Sequence, residues 1–215
     1  MQTHVRKAYV PQDRRNALFE LEHEEDLLHQ INMYGKPCAR WRQTLSEATL
    51  LHRAIKMGWF HVCQRLIVDF HADVNASAIL WREGLRGRCI HWAVLSKNCR
   101  LDIVQLLHAA GANLNEVEGI EDTYRTPLEI LLAHMNGSGS VVRKEVVRWM
   151  LTQASLDLPG PRDAYGKTAL DLAASKGRNS MYDEMLAEMH RRANLVALLC
   201  PLVLHAVMAH CAGFT

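Results

Sequence analysis

A chain of 215 residues, 49% hydrophobic and 22% charged with a formal net charge of +2, is long enough for one sizeable core or a short array of repeats. Its cations alternate with acids and cluster only as pairs such as Arg6-Lys7, Arg14-Arg15 and Arg191-Arg192, which excludes the concentrated basic field that nucleic-acid binding requires. The six cysteines form no CxxC pair and no apolar h-region opens the chain. These features predict free, mostly buried thiols in a reducing compartment, with a cytoplasmic location the first expectation and a nuclear or membrane-associated one open.

In chain order, Arg14–Met33 reads as a charged amphipathic helix with Leu18, Leu21, Leu28 and Ile31 on one face, stopped by Gly35-Lys-Pro37. Thr49-Leu-Leu-His52-Arg-Ala54 then opens a short helix, and Val62-Cys-Gln-Arg-Leu66-Ile67 supplies a second apolar segment before His71-Ala-Asp-Val-Asn75. A long connection containing Trp81 leads to Arg88-Cys-Ile-His91-Trp-Ala93, followed by Ile103-Val-Gln-Leu106-Leu107 and Gly111-Ala-Asn-Leu-Asn115. The pattern returns as Thr126-Pro-Leu-Glu129-Ile-Leu131 with Val146-Val-Arg-Trp149-Met-Leu151, and as Thr168-Ala-Leu-Asp171-Leu-Ala173 with Met181-Tyr-Asp-Glu-Met185-Leu186.

Each residue type in this template has a physical reason. Thr49, Thr126 and Thr168 stand where a hydroxyl can accept an orphaned backbone N–H at a helix start. Glu129 and Asp171 lie three residues on, at the reciprocal position of a capping box. Pro127 fits the first helical turn, where its missing N–H costs nothing. Leu51, Ile90, Leu128 and Leu170 begin a buried face, while Ala54, Ala93 and Ala173 are small enough for neighbouring units to approach closely. Gly58, Gly111 and Gly177 suit left-handed caps.

The four segments resemble the ankyrin repeat, in which a turn leads to a helix opened by T-P-L-H-x-A, a second helix and a closing G-A-D-x-N. The resemblance covers roughly residues 44–190 and predicts an all-α solenoid of paired antiparallel helices with short hairpin-like loops and flanking capping helices. Residues 1–43 would form an N-terminal helical cap, 44–190 the repeat domain and 191–215 a hydrophobic C-terminal helix or tail. The units recur about every 40 residues, against ~33 in the family. The excess falls in connections: Ala78–Leu85, Lys97-Asn98-Cys99 and the Gly/Ser-rich Met135–Ser140. Arg88 stands where the family has its capping Thr.

The resemblance implies a non-enzymatic module that grips a protein partner with loop tips and a concave face. The expected contact residues are Trp81, Arg82 and Arg86 in the long first connection, with Tyr124, Arg125, Arg162 and Tyr165 in later turns, because aromatics and arginine anchor interfaces. The histidines at positions 52 and 91 are expected to bond to backbone and tie adjacent turns. No cofactor or metal is expected. Gly160–Thr168 has five residues between its glycines where a phosphate loop has four. Cys200, His205, His210 and Cys211 do not converge on one helical face. From Ala193 to Thr215 there is no charged side chain, so 193–212 could cap the array, dock a partner or anchor the chain in a membrane. The alternative readings are accordingly a tail-anchored adaptor and a regulatory fragment or subunit of an enzyme complex.

Overall fold

The computed structural model describes residues 10–79, 86–117, 125–135, 140–158, 160, 162, 166–175 and 181–195. Helices dominate. Two precede the repeats, α1 (Gln12–Ala17) and α2 (Glu24–Tyr34), and a 3-10 turn at Lys36–Arg40 follows them. The pairs are α3 (Leu50–Met57) with α4 (Phe60–Gln64), α5 (Cys89–Leu95) with α6 (Leu101–Ala109), and α7 (Pro127–Ala133) with α8 (Ser140–Thr152). Then come α9 (Ala169–Ser175) and α10, the helix at 181–195. A π-helical turn, Arg65–Asp69, prolongs α4.

The N-terminal segment is not the single helix expected from its periodicity. It breaks between Ala17 and Glu24, where Leu18 and Phe19 turn into the core. The new start at α2 carries Glu24, Glu25 and Asp26 in its first turn, where carboxylates complement the helix dipole. Leu27 and Ile31, one turn apart, are its fully buried residues, while Leu21 and Leu28 are half-buried against the same core.

The pairs stack through like neighbours. In one layer α3 packs on α5, α5 on α7 and α7 on α9; in the other α2 packs on α4, α4 on α6 and α6 on α8. Leu51, Ile90 and Leu128 are buried as their template positions predict, and so are Ala54, Ala93 and Ala173. Leu131 fills the alanine position of the third unit and is fully buried. Leu170 is only half-buried against the core; among the described residues no further first-layer helix covers α9. The all-α expectation needs one amendment. Ser77–Ile79 (β1) pairs antiparallel with Arg86–Arg88 (β2) in a two-stranded ladder, with Ala78 and Gly87 turned inward. The first finger, Trp41–Thr49, is closed by a single bridge between Arg42 and Thr49.

Candidate protein-binding surface

The surface is organised by how the first helices begin. Three of them open on a capping box. The hydroxyl of Thr126 accepts from the Glu129 N–H at 3.3 Å and the Glu129 carboxylate accepts the Thr126 N–H at 2.7 Å. Thr168 and Asp171 repeat this at 3.3 and 2.9 Å. At α3 the reciprocal acceptor is an imidazole: Nδ1 of His52 takes the Thr49 N–H at 3.1 Å, while the Thr49 hydroxyl accepts the His52 N–H at 3.4 Å. Arg88 gives α5 no side-chain cap.

His52 does more than cap. Because its Nδ1 accepts, the ring proton sits on Nε2, and the ring also bonds to the Ala76 backbone in the connection to the next unit. The residue is fully buried. Desolvation is the main reason its pKa falls from 6.5 to about 4, with the positive charge of Arg42 adding to the fall and the Ala76 bond opposing it. His91 makes the corresponding link one unit on, its Nε2 lying 3.1 Å from the Glu116 carbonyl. The closing asparagines add further ties: the Asn75 amide donates to the Gly111 carbonyl at 3.3 Å, and Asn115 donates to the Ser155 carbonyl at 2.6 Å while accepting the Asp157 N–H at 2.8 Å. The polar groups at the base of each finger are thus consumed in holding one unit to the next.

Of the expected contact residues, Trp81, Arg82, Tyr124 and Tyr165 lie outside the described residues. Arg86 is half-exposed and forms a 2.5 Å ion pair with Glu47 of the preceding finger. The hydrogen bond and charge of its guanidinium hold the Glu47 carboxyl below the usual carboxylate range. Arg125 is half-buried beside the α7 cap, and exposed Arg162 donates to the Gly166 carbonyl at 2.6 Å, closing its own loop.

Three contributors were not anticipated. Arg42 donates to the Glu47 carbonyl at 2.9 Å and to the Ser77 carbonyl at 3.0 Å, joining the first two fingers. Arg88 pairs with Glu116 at 2.6 Å. Its replacement of the capping Thr was the visible signal that this position carries a different task. Leu45, at the turn of the first finger, is 87% exposed, a large apolar side chain offered to solvent at a tip.

At the opposite, C-terminal ends of α3 and α5 the residues Lys97-Asn98-Cys99, extra to the repeat pattern, fold back on the preceding unit. The Ser96 hydroxyl donates to the Lys56 carbonyl at 3.0 Å, and the Asn98 amide reaches the Lys56 and Met57 carbonyls, each at 3.3 Å. Arg100 donates to the Gly58 carbonyl at 3.2 Å. These bonds satisfy carbonyls that a helix end leaves without partners. They also wall a groove of about 320 Å³ lined by Met57, Trp92 and Leu95, with Lys56 and Lys97 beside it.

The cysteines among the described residues are held as thiols. Burial pushes the thiol of Cys38 up to about 12 and that of Cys99 to about 11, and raises those of Cys63 and Cys89 as well. Such thiols stay protonated, and the thiolate is the nucleophile and metal ligand. Among the described residues no group of His, Cys, Asp and Glu is placed to hold a metal ion; Cys200, His205, His210 and Cys211 lie outside them. No helix among the described residues is long and apolar enough to cross a membrane. Arg192 donates to the Leu151 and Gln153 carbonyls at 2.9 Å and to that of Leu156, closing the end of α8.

Helix pairs that find a dry interior only against like neighbours define a repeat protein. The ankyrin-repeat family model matches residues 46–78 and 89–118, the first two units. The chain is an ankyrin-repeat protein, and ankyrin repeats are generally protein–protein interaction modules. No curated protein matches the chain. The third and fourth units stand on their capping boxes and on the packing of α7, α8 and α9.

Proposed function

We propose that the chain is a non-enzymatic adaptor, an ankyrin solenoid of about four units over residues 44–190 that grips a cytoplasmic protein through finger tips and concave face. Residues 1–43 cap its first unit and the segment from 191 extends its last. The single observation that supports this reading is the division of labour between the finger bases and the tip of the first finger. His52, His91, Asn75 and Asn115 at the bases are spent on the neighbouring unit, whereas that tip carries Leu45, a side chain the stack does not need. Trp81, Arg82, Arg86, Tyr124, Arg125, Arg162 and Tyr165 form the proposed contact set, with Trp81 and Tyr124 its anchors.

Affinity purification with the wild type and a Trp81→Ala/Tyr124→Ala variant tests it, with circular dichroism and a urea melt to establish that the variant is folded. Losing two aromatic anchors of about 2 kcal/mol each weakens binding by far more than tenfold, so the wild-type partner disappears from the variant's eluate. Equal recovery of the same partner by both proteins refutes the surface.

A further inference from the structure

The groove between the C-terminal ends of α3 and α5 is not part of the repeat pattern. It exists because Ser96, Lys97 and Asn98 fold back onto the Lys56 and Met57 carbonyls. Its floor is apolar, made by Met57, Leu95 and the ring of Trp92. That ring is held edge-on against His52 with centroids 5.2 Å apart, and its indole N–H has no acceptor among the described residues. Lys56 and Lys97 are both exposed at the rim, and among the described residues no carboxylate lines the groove. Asp102, the acid closest in sequence, is engaged by Arg100 at 2.6 Å.

An apolar floor under a one-signed rim selects for a complementary occupant. Burying an apolar side chain there removes Met57, Trp92 and Leu95 surface from water, and the lysines reward negative charge on either side while repelling positive charge. The groove lies at the far ends of the first helices from the first two fingers, so its occupant does not compete with one held there. We infer that this groove is a second docking site, taking a segment of a protein partner in which one apolar side chain is flanked by carboxylates. The inference rests on the reading of the chain as an interaction module and names a partner chemistry for a face that reading leaves unassigned.

The test pans a displayed library of random peptides against the full chain and, in parallel, against a Lys56→Glu/Lys97→Glu variant. Both substitutions are at exposed positions, and a urea melt checks the fold. The wild type is expected to enrich peptides with acidic residues around an apolar one. Their affinity should fall as salt rises from about 50 to about 500 mM. The charge-reversed variant should bind them at least about tenfold more weakly and enrich basic flanks instead. The best wild-type peptide should shift the amide resonances of Lys97 and Asn98 and the Trp92 indole signal, the last assigned with Trp92→Phe. Recovery of no peptides, of the same charge pattern by both proteins, or of peptides whose shifts fall elsewhere overturns the inference. Peptides lost on Trp81→Ala/Tyr124→Ala but kept on charge reversal overturn it too, while leaving the finger surface standing.

Discussion

The His52 link makes stability depend on pH in a calculable way. In the folded chain Nδ1 is committed to the Thr49 N–H and the ring is fully buried, so a second proton finds no solvent and its pKa drops from 6.5 to about 4. In the unfolded chain the same ring protonates at its ordinary value. Between those two pH values the unfolded state binds a proton that the folded state refuses, and stability must fall as pH falls. The contribution is complete above pH 6.5 and lost progressively down to about pH 4. The displacement corresponds to about 3 kcal/mol, a large share of the total for a domain of this size. The control is His52→Gln, because glutamine is a natural partner in a capping box and does not titrate. Urea denaturation of both proteins across this range should show the wild type losing about 3 kcal/mol more than the variant. Parallel profiles would mean that His52 titrates normally in the folded chain, and the account of it as a neutral link between units would be wrong.

Two further outcomes follow from local geometry. Gly58 and Gly111 both adopt left-handed conformations, φ 77° and 95°, but an added Cβ at Gly58 meets the Asn98 Cβ at 3.1 Å whereas at Gly111 it meets nothing within 4 Å. Gly111→Ala should therefore cost about 1 kcal/mol of conformational strain. Gly58→Ala should cost about 1 kcal/mol more from crowding, measured as urea midpoints; equal losses would show that the fold-back loop yields freely. Glu24 caps α4 from another helix, its carboxylate accepting the His61 N–H at 2.8 Å and the Val62 N–H at 3.3 Å. Glu24→Ala should cost about 1 kcal/mol and speed hydrogen exchange at those two amides, and unchanged exchange there would refute the cap.

The repeats could be read from the sequence because each obeys local rules. A threonine with an acidic residue three positions on, a leucine, a small residue and a closing glycine specify a capped helix of set length wherever they occur, and Thr126, Glu129 and Leu128 behave as those rules require. His52 could be placed in the same pattern, yet its second role as the capping-box acceptor was hidden, since glutamate or glutamine is the usual sign of that position. The candidate surface was less readable. Arg86 could be picked out as an exposed arginine, but nothing local pairs it with Glu47, a residue far away in the chain that the stacking of fingers brings within 2.5 Å.

The sequence alone therefore determined the unit: which segments of it are helical and which side chains turn inward. Capping, turn chemistry and apolar periodicity act over a few residues and leave their mark in order along the chain. Tertiary structure decided what the units do to one another. It broke the N-terminal helix at Leu18 and Phe19, bent Asn98 back onto α3, turned Arg192 into the closure of α8 and opened the groove beside Trp92. Each of these depends on a carbonyl or an apolar face left unsatisfied in one unit and met by a residue of another, and no periodicity within a single unit records such a meeting.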